Sequence, residues 1–78
     1  MRQEQFTAIM PYISADLIGM ISRKQSVSEE EAIKKLYASR LYADLEQEET
    51  KVWQYSTLML YFLFEQEQNT GTIQYPDV

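Results

Sequence analysis

The sequence predicts an all-α protein, a small compact helical bundle of three main helices plus one short helix, with an extended C-terminal tail. Apolar residues recur at spacings of three and four along most of the 78-residue chain, which is the period of amphipathic helices. The chain has two glycines and two prolines, and 45% of its residues are hydrophobic, a composition typical of an ordered domain. We therefore expect residues 1–78 to form a single helical domain, with residues 72–78 as the tail.

The first helix is predicted over residues 3–24. Apolar side chains share one face of this segment: Phe6, Ile9, Met10, Ile13, Leu17, Met20 and Ile21. Pro11 lies inside the segment, and because proline lacks an amide donor we expect either a kink there or a helix that begins near Met10. Gly19 should weaken the helix locally or allow another backbone to approach closely.

The second helix is predicted to begin at Ser28, because Ser28 and Glu31 have the spacing of a capping box. Three glutamates in the first turn suit the positive end of the helix dipole. The expected buried stripe consists of Ala32, Ile33, Leu36 and Tyr37. Two alternatives follow: Ser39 begins a new short helix, or the second helix bends and continues. Residues 46–50 are predicted to form a surface loop, with Trp53 anchoring the loop against the helices.

The last helix is predicted to begin at Ser56 or Thr57 and to end near Gly71. It contains seven consecutive apolar residues, 58–64, so it should be apolar on every side. The core of so small a chain can cover only part of this helix. One face should therefore pack on the first two helices, and the other should make an external contact. The candidate interface residues are Tyr55, Leu60, Tyr61, Leu63 and Phe64.

The composition argues against catalysis and metal binding. The chain has no histidine and no cysteine, so it lacks the usual zinc ligands and the commonest catalytic base. Its glycines, Gly19 and Gly71, do not form a phosphate-binding loop. The acidic segment 44–49 lacks the glycine and the spacing of a calcium loop. We therefore expect no enzyme activity, no cofactor and no metal site. An enzyme of unrecognised type is the third hypothesis for the function, after the protein-interaction module and the DNA-binding regulator described below.

The net charge of −5 is concentrated in residues 26–50, which carry −4 and would repel phosphate. The alternative hypothesis is a DNA-binding transcriptional regulator that uses four cations: Arg23, Lys24, Lys34 and Lys35. The apolar run is much shorter than the roughly 20 residues that cross a bilayer, and the first residues do not have the pattern of a secretory signal. We therefore expect a cytoplasmic protein that binds neither nucleic acid nor membranes.

The following residues carry a resemblance to known proteins: Ser28-Glu29-Glu30-Glu31-Ala32, Leu36-Tyr37-Ala38-Ser39, Leu45, Glu49-Thr50-Lys51-Val52-Trp53, and the final helix from Ser56 to Leu60-Tyr61. In these segments the chain resembles a group of small uncharacterised cytoplasmic proteins of Firmicutes. The resemblance covers most of the chain, although the group usually has phenylalanine where this chain has Leu36. It implies a bacterial protein of unknown function. Some such proteins look like accessory members of operons that encode toxin-like enzymes.

The leading hypothesis from the sequence is a small protein–protein interaction module. Most of the hydrophilic residues can be explained as helix caps or as solvated surface. The apolar last helix, in contrast, needs another surface to cover it. The expected partner is a second copy of the chain, as a homodimer, or another protein that this chain regulates in an antitoxin-like way.

Overall fold

The computed structural model describes residues 3–76, and over that range the protein is all-α without a β-strand. The four helices are α1 (Gln3–Gln25), α2 (Glu29–Tyr37), α3 (Arg40–Leu45) and α4 (Thr57–Thr70). Two 3₁₀ turns, Glu48–Thr50 and Val52–Gln54, connect α3 to α4. One hydrophobic cluster includes residues from all four helices and from the second 3₁₀ turn. The predicted fold class is confirmed.

Helix α1 is helical without interruption from Gln3 to Gln25, with Pro11 inside it. The expected alternative, a helix that begins near Met10, is therefore wrong. Its buried side chains come mainly from the predicted apolar face: Phe6, Ser14, Leu17, Ile18 and Ile21. No backbone of another segment approaches Gly19 closely, since the neighbour of a Cβ placed there would be the side chain of Arg23, with Nη1 at 3.3 Å.

Helix α2 begins where the sequence predicted, because the Oγ of Ser28 accepts a hydrogen bond from the amide of Glu31 at 3.1 Å. The predicted buried stripe is too wide. Two of its residues, Ala32 and Leu36, are fully buried, whereas Ile33 and Tyr37 are exposed. Helix α2 packs chiefly on α1, so that one narrow side of it is covered and the residue that follows each buried position points outward.

Ser39 separates α2 from α3, which decides between the two alternatives in favour of a new short helix. Its Oγ accepts the amide of Tyr42 at 3.1 Å. The carboxylate of Glu67, on α4, accepts the amides of Arg40 at 2.8 Å and Leu41 at 3.0 Å. One local and one distant side chain therefore satisfy the first amides of α3, which would otherwise lack helical partners.

The connection from α3 to α4 is more ordered than a simple surface loop. The hydroxyl of Thr50 lies 2.7 Å from the carbonyl oxygen of Asp44. The indole of Trp53 donates to the carbonyl oxygen of Glu48 at 2.9 Å, and its ring packs edge-on against Phe6 with centroids 5.9 Å apart. Trp53 therefore anchors this connection on α1, as predicted.

Helix α4 begins and ends at two of the residues named from the sequence. The Oγ of Ser56 accepts the amide of Met59 at 3.2 Å, and Gly71 follows the helix with a φ of 82°. The left-handed conformation at Gly71 explains why the helix stops at a glycine.

The tail packs on the bundle as far as the structure describes it. The amide of Gln74 donates to the Oε1 of Gln66 at 2.8 Å. Tyr75 stacks on Tyr55 with ring centroids 6.4 Å apart, and its hydroxyl donates to the carboxylate of Asp44 at 2.6 Å. Residues 77–78 of the predicted tail lie outside the described residues.

Candidate protein-binding surfaces

Four of the five predicted interface residues lie in the core of the protomer. Leu60, Tyr61, Leu63 and Phe64 are each at most 4% exposed. Tyr55 is half-buried beneath Tyr75. The expectation that these side chains are available for an external contact is therefore corrected. Helices α1 and α3 both pack on α4 and cover this side of it.

The exposed apolar residues of α4 are Leu58, 47% exposed, and Phe62, 52% exposed. They lie four residues apart and therefore on one face of the helix. Beside them, the Nζ of Lys24 lies 5.9 Å from the ring centroid of Tyr61, and the hydroxyl of Tyr61 donates to Glu65 at 3.2 Å. We call Leu58 and Phe62, with Lys24 and Glu65 at their edge, the α4 patch.

A groove of about 560 Å³ runs along the N-terminal half of α1. Its α1 side includes Phe6, Met10, Pro11 and Ile18, and the opposite side is formed by residues of α2 and α3 and by the residue that follows α3: Tyr37, Tyr42 and Glu46. We call it the α1 groove. The sequence did not predict it, although small residues at a spacing of four, Thr7, Pro11 and Ala15, mark this side of α1.

The two tyrosines of the α1 groove form a stacked pair, with ring centroids 4.6 Å apart and planes inclined by 30°. Tyr37 is 54% exposed and Tyr42 is half-buried. Burial raises the pKa of Tyr42; the nearby hydroxyl of Ser14 lowers it, while Tyr37 and the carboxylate of Glu46 raise it further. Tyr42 therefore keeps a neutral hydroxyl that can donate or accept a hydrogen bond in the groove.

Glu46 is the one charged side chain among the described residues that line the α1 groove. It is exposed, and within residues 3–76 it takes part in no ion pair, since the ion pair formed there joins Lys34 to Glu30 at 3.9 Å. This carboxylate gives the lining of the groove a negative charge beside Tyr42.

The cations of the DNA-binding hypothesis are mostly in contact with other groups of the chain. Lys34 pairs with Glu30, and the Nζ of Lys35 donates to the Oε1 of Gln25 at 3.4 Å. Lys24 lies over the ring of Tyr61. A smaller cleft of about 270 Å³, with Arg23 in its lining, lies beside the α1 groove, and Ala15 lines both.

Within the part of the chain that the structure describes, no group of three or more potential ligands is placed to hold a metal ion. None of the described helices has the length and apolar character needed to cross a bilayer. Comparisons of the chain with known protein families, with curated proteins and with solved structures give no significant match. A functional interpretation therefore depends on the surfaces themselves.

Proposed function

We propose that this chain is a protein–protein interaction module and that it binds its partner in the α1 groove. The observation that supports the proposal is the groove of about 560 Å³, lined mainly by apolar and aromatic side chains and bordered by an exposed tyrosine. Exposed apolar surfaces rimmed by polar groups are typical of protein–protein interaction sites and binding grooves. Tyrosine is also enriched among the residues that dominate interface energies.

The chemistry of the groove favours a protein over a nucleic acid. Its charged side chain is the carboxylate of Glu46, which repels phosphate. A DNA-binding regulator, the alternative function, would use Arg23, Lys24, Lys34 and Lys35, none of which lines the α1 groove. We assign no reaction to the groove, since its hydroxyl groups have no histidine to activate them. From the sequence resemblance, we also propose that the protein is bacterial and cytoplasmic and that it regulates its partner in an antitoxin-like way.

A second candidate function is self-association through the α4 patch. Leu58 and Phe62 are the observation that favours it, because they place two large apolar side chains on one exposed face. Lys24 and Glu65 give the patch one cation and one carboxylate at its edge. A two-fold interface brings the same patch together with itself, so that opposite charges at its edge can pair across the axis.

The proposal can be tested by photo-crosslinking in cells that produce the chain. A photoreactive phenylalanine is placed at Ala15, which lines the α1 groove, or at Ala43, which is exposed on α3 outside the groove lining. We expect a protein adduct from Ala15 that mass spectrometry identifies, that the purified pair reproduces, and that Ala43 does not give. Equal adducts from both positions, or none from Ala15, would contradict the proposal. Nucleic acid crosslinked to a photoreactive phenylalanine placed at Arg23 or Lys24 would support the DNA-binding alternative.

A further inference from the structure

We propose that the α1 groove binds a basic amphipathic helix of another protein, with the apolar face of that helix against Met10 and Ile18 and an arginine or lysine paired with Glu46. This inference rests on the proposed function and specifies the chemistry of the partner. Three observations support it: the length of the groove, the charge of its lining and the position of its exposed aromatic ring.

The shape of the groove suits a helix. Between Phe6 and Ile18, α1 rises by about 18 Å, or a little more than three turns. A partner helix that lies along this length presents side chains at positions i, i+4 and i+7 to the groove, the usual pattern of helix-in-groove recognition. Binding by strand addition requires an exposed sheet edge, and the part of the chain that the structure describes contains no strand.

The charge of the groove selects a basic partner. Glu46 brings a carboxylate to the lining that has no ion-pair partner among residues 3–76, and it belongs to the segment 26–50, which carries −4 in a chain of −5. Opposite charges across an interface speed association and exclude partners of the wrong sign. Helix α4 of a second copy is a poor occupant, because α4 contains no lysine or arginine to pair with Glu46.

The exposed ring of Tyr37 adds a second contact for a cation. Tyr37 stacks on Tyr42, and Glu46 lies one helical turn beyond Tyr42, so that a ring face and a carboxylate occur on the same side of the groove. A guanidinium can lie over an aromatic face while it donates hydrogen bonds to a carboxylate, which favours arginine over lysine at this position.

The test begins with a selection that makes no assumption about the partner. A phage library of random 16-residue peptides is selected on the unmodified chain and counter-selected on Ala15→Lys, which adds bulk and positive charge in the groove. Ala43→Lys is the matched control, because Ala43 is exposed on α3 and lies outside the groove lining. We expect enriched peptides with apolar residues at i, i+4 and i+7, at least one arginine or lysine, and helical circular dichroism in the complex.

The best peptide then tests the role of Glu46. We expect Glu46→Gln to weaken binding about threefold at low salt, and the difference to shrink at high salt, as for an exposed ion pair. Glu49→Gln makes the same charge change outside the groove lining and should alter binding less than Glu46→Gln does. When the peptide is added to the isotope-labelled chain, the amide signals that move in the NMR spectrum should be those of residues 6–18 and of Tyr37 and Tyr42.

Enrichment of acidic or proline-rich peptides, or of none, would overturn the inference, as would equal effects of Glu46→Gln and Glu49→Gln. Self-association that Ala15→Lys abolishes would show that a second copy fills the groove and would also overturn it. The two proposals remain distinguishable. If Ala15 crosslinks a protein in cells but the selection yields no basic helix, the interaction module stands and the basic helix does not.

Discussion

Three serines define the beginnings of three helices in this chain. Ser28, Ser39 and Ser56 each have an extended backbone, and the Oγ of each accepts the amide three residues later. These hydrogen bonds satisfy amides that have no partner within the first turn of a helix. Because a short helix has few internal hydrogen bonds, the boundaries of α2 and α3 depend on such side chains more than those of α1 do.

Ser28→Ala should lower the free energy of unfolding by about 1 kcal/mol, the usual effect of losing an N-cap hydrogen bond. The measurement is chemical denaturation, monitored by circular dichroism. Ser28→Asp is the control, because aspartate also caps a helix and its charge suits the N-terminus. An unchanged denaturation midpoint in Ser28→Ala would mean that the hydrogen bond to Glu31 does not stabilise α2.

We expect Tyr75 to make the protein less stable as the pH rises above about 10. Burial, and then the hydrogen bond to Asp44, raise the pKa of Tyr75 above its ordinary value of 10.0. Below about pH 10 both the folded and unfolded chains keep this proton; at higher pH the unfolded chain loses it first, so stability falls as the pH rises. We expect Tyr75→Phe to show a weaker loss of stability between about pH 10 and 11, measured by urea denaturation.

Tyr12→Phe is the control for this experiment, since Tyr12 is 74% exposed. If Tyr12→Phe and Tyr75→Phe change the alkaline dependence equally, the contact between Tyr75 and Asp44 is not its source. At neutral pH Tyr75→Phe should also lower the free energy of unfolding by about 1 kcal/mol, because the carboxylate of Asp44 loses a hydrogen bond.

Among the secondary-structure elements, the ends of α2 and α4 were predictable, whereas the face that α4 buries was not. Periodicity and capping residues are local, so they identify α2 from Ser28 and α4 from Ser56 to Gly71. In the run 58–64 every residue is apolar, and such a run contains no signal that separates buried from exposed positions. Leu60 is buried and Phe62 is exposed because of where α1 and α3 lie.

Glu67 joins two elements that are far apart in sequence, since its carboxylate accepts the amides of Arg40 and Leu41. Glu67→Ala should lower the free energy of unfolding by about 2 kcal/mol, because two hydrogen bonds to a charged group are lost and the amide of Leu41 is partly buried. Glu67→Gln, which keeps one acceptor oxygen, should cost less. Amide hydrogen exchange should become faster at Arg40 and Leu41 in particular.

The exposed Glu49, whose side chain forms no hydrogen bond among residues 3–76, supplies the control for Glu67. Glu49→Gln should leave both the stability and the exchange of the α3 amides unchanged. If Glu67→Ala behaves in the same way, α3 does not depend on α4 for its first turn.

At the scale of the whole molecule, a chain of 78 residues combines a complete apolar core with two exposed apolar surfaces. The α4 patch could be anticipated in part, since the sequence required one side of α4 to remain uncovered. The α1 groove could not, because its walls come from Pro11, Tyr37 and Glu46, which no local pattern connects. Their proximity results from the turn between α1 and α2 and from the break at Ser39.

The α4 patch can be tested by solution mass. We expect the unmodified chain to form dimers at high micromolar concentration in sedimentation velocity, because Leu58 and Phe62 lose water-exposed apolar surface in the contact. Leu58→Ser with Phe62→Ser should give monomers with nearly unchanged stability. Leu60→Ala is the contrasting variant: Leu60 is fully buried, so this change should cost about 3 kcal/mol of stability. A monomeric unmodified chain at that concentration would remove the α4 patch as a dimer interface and leave the α1 groove as the binding surface.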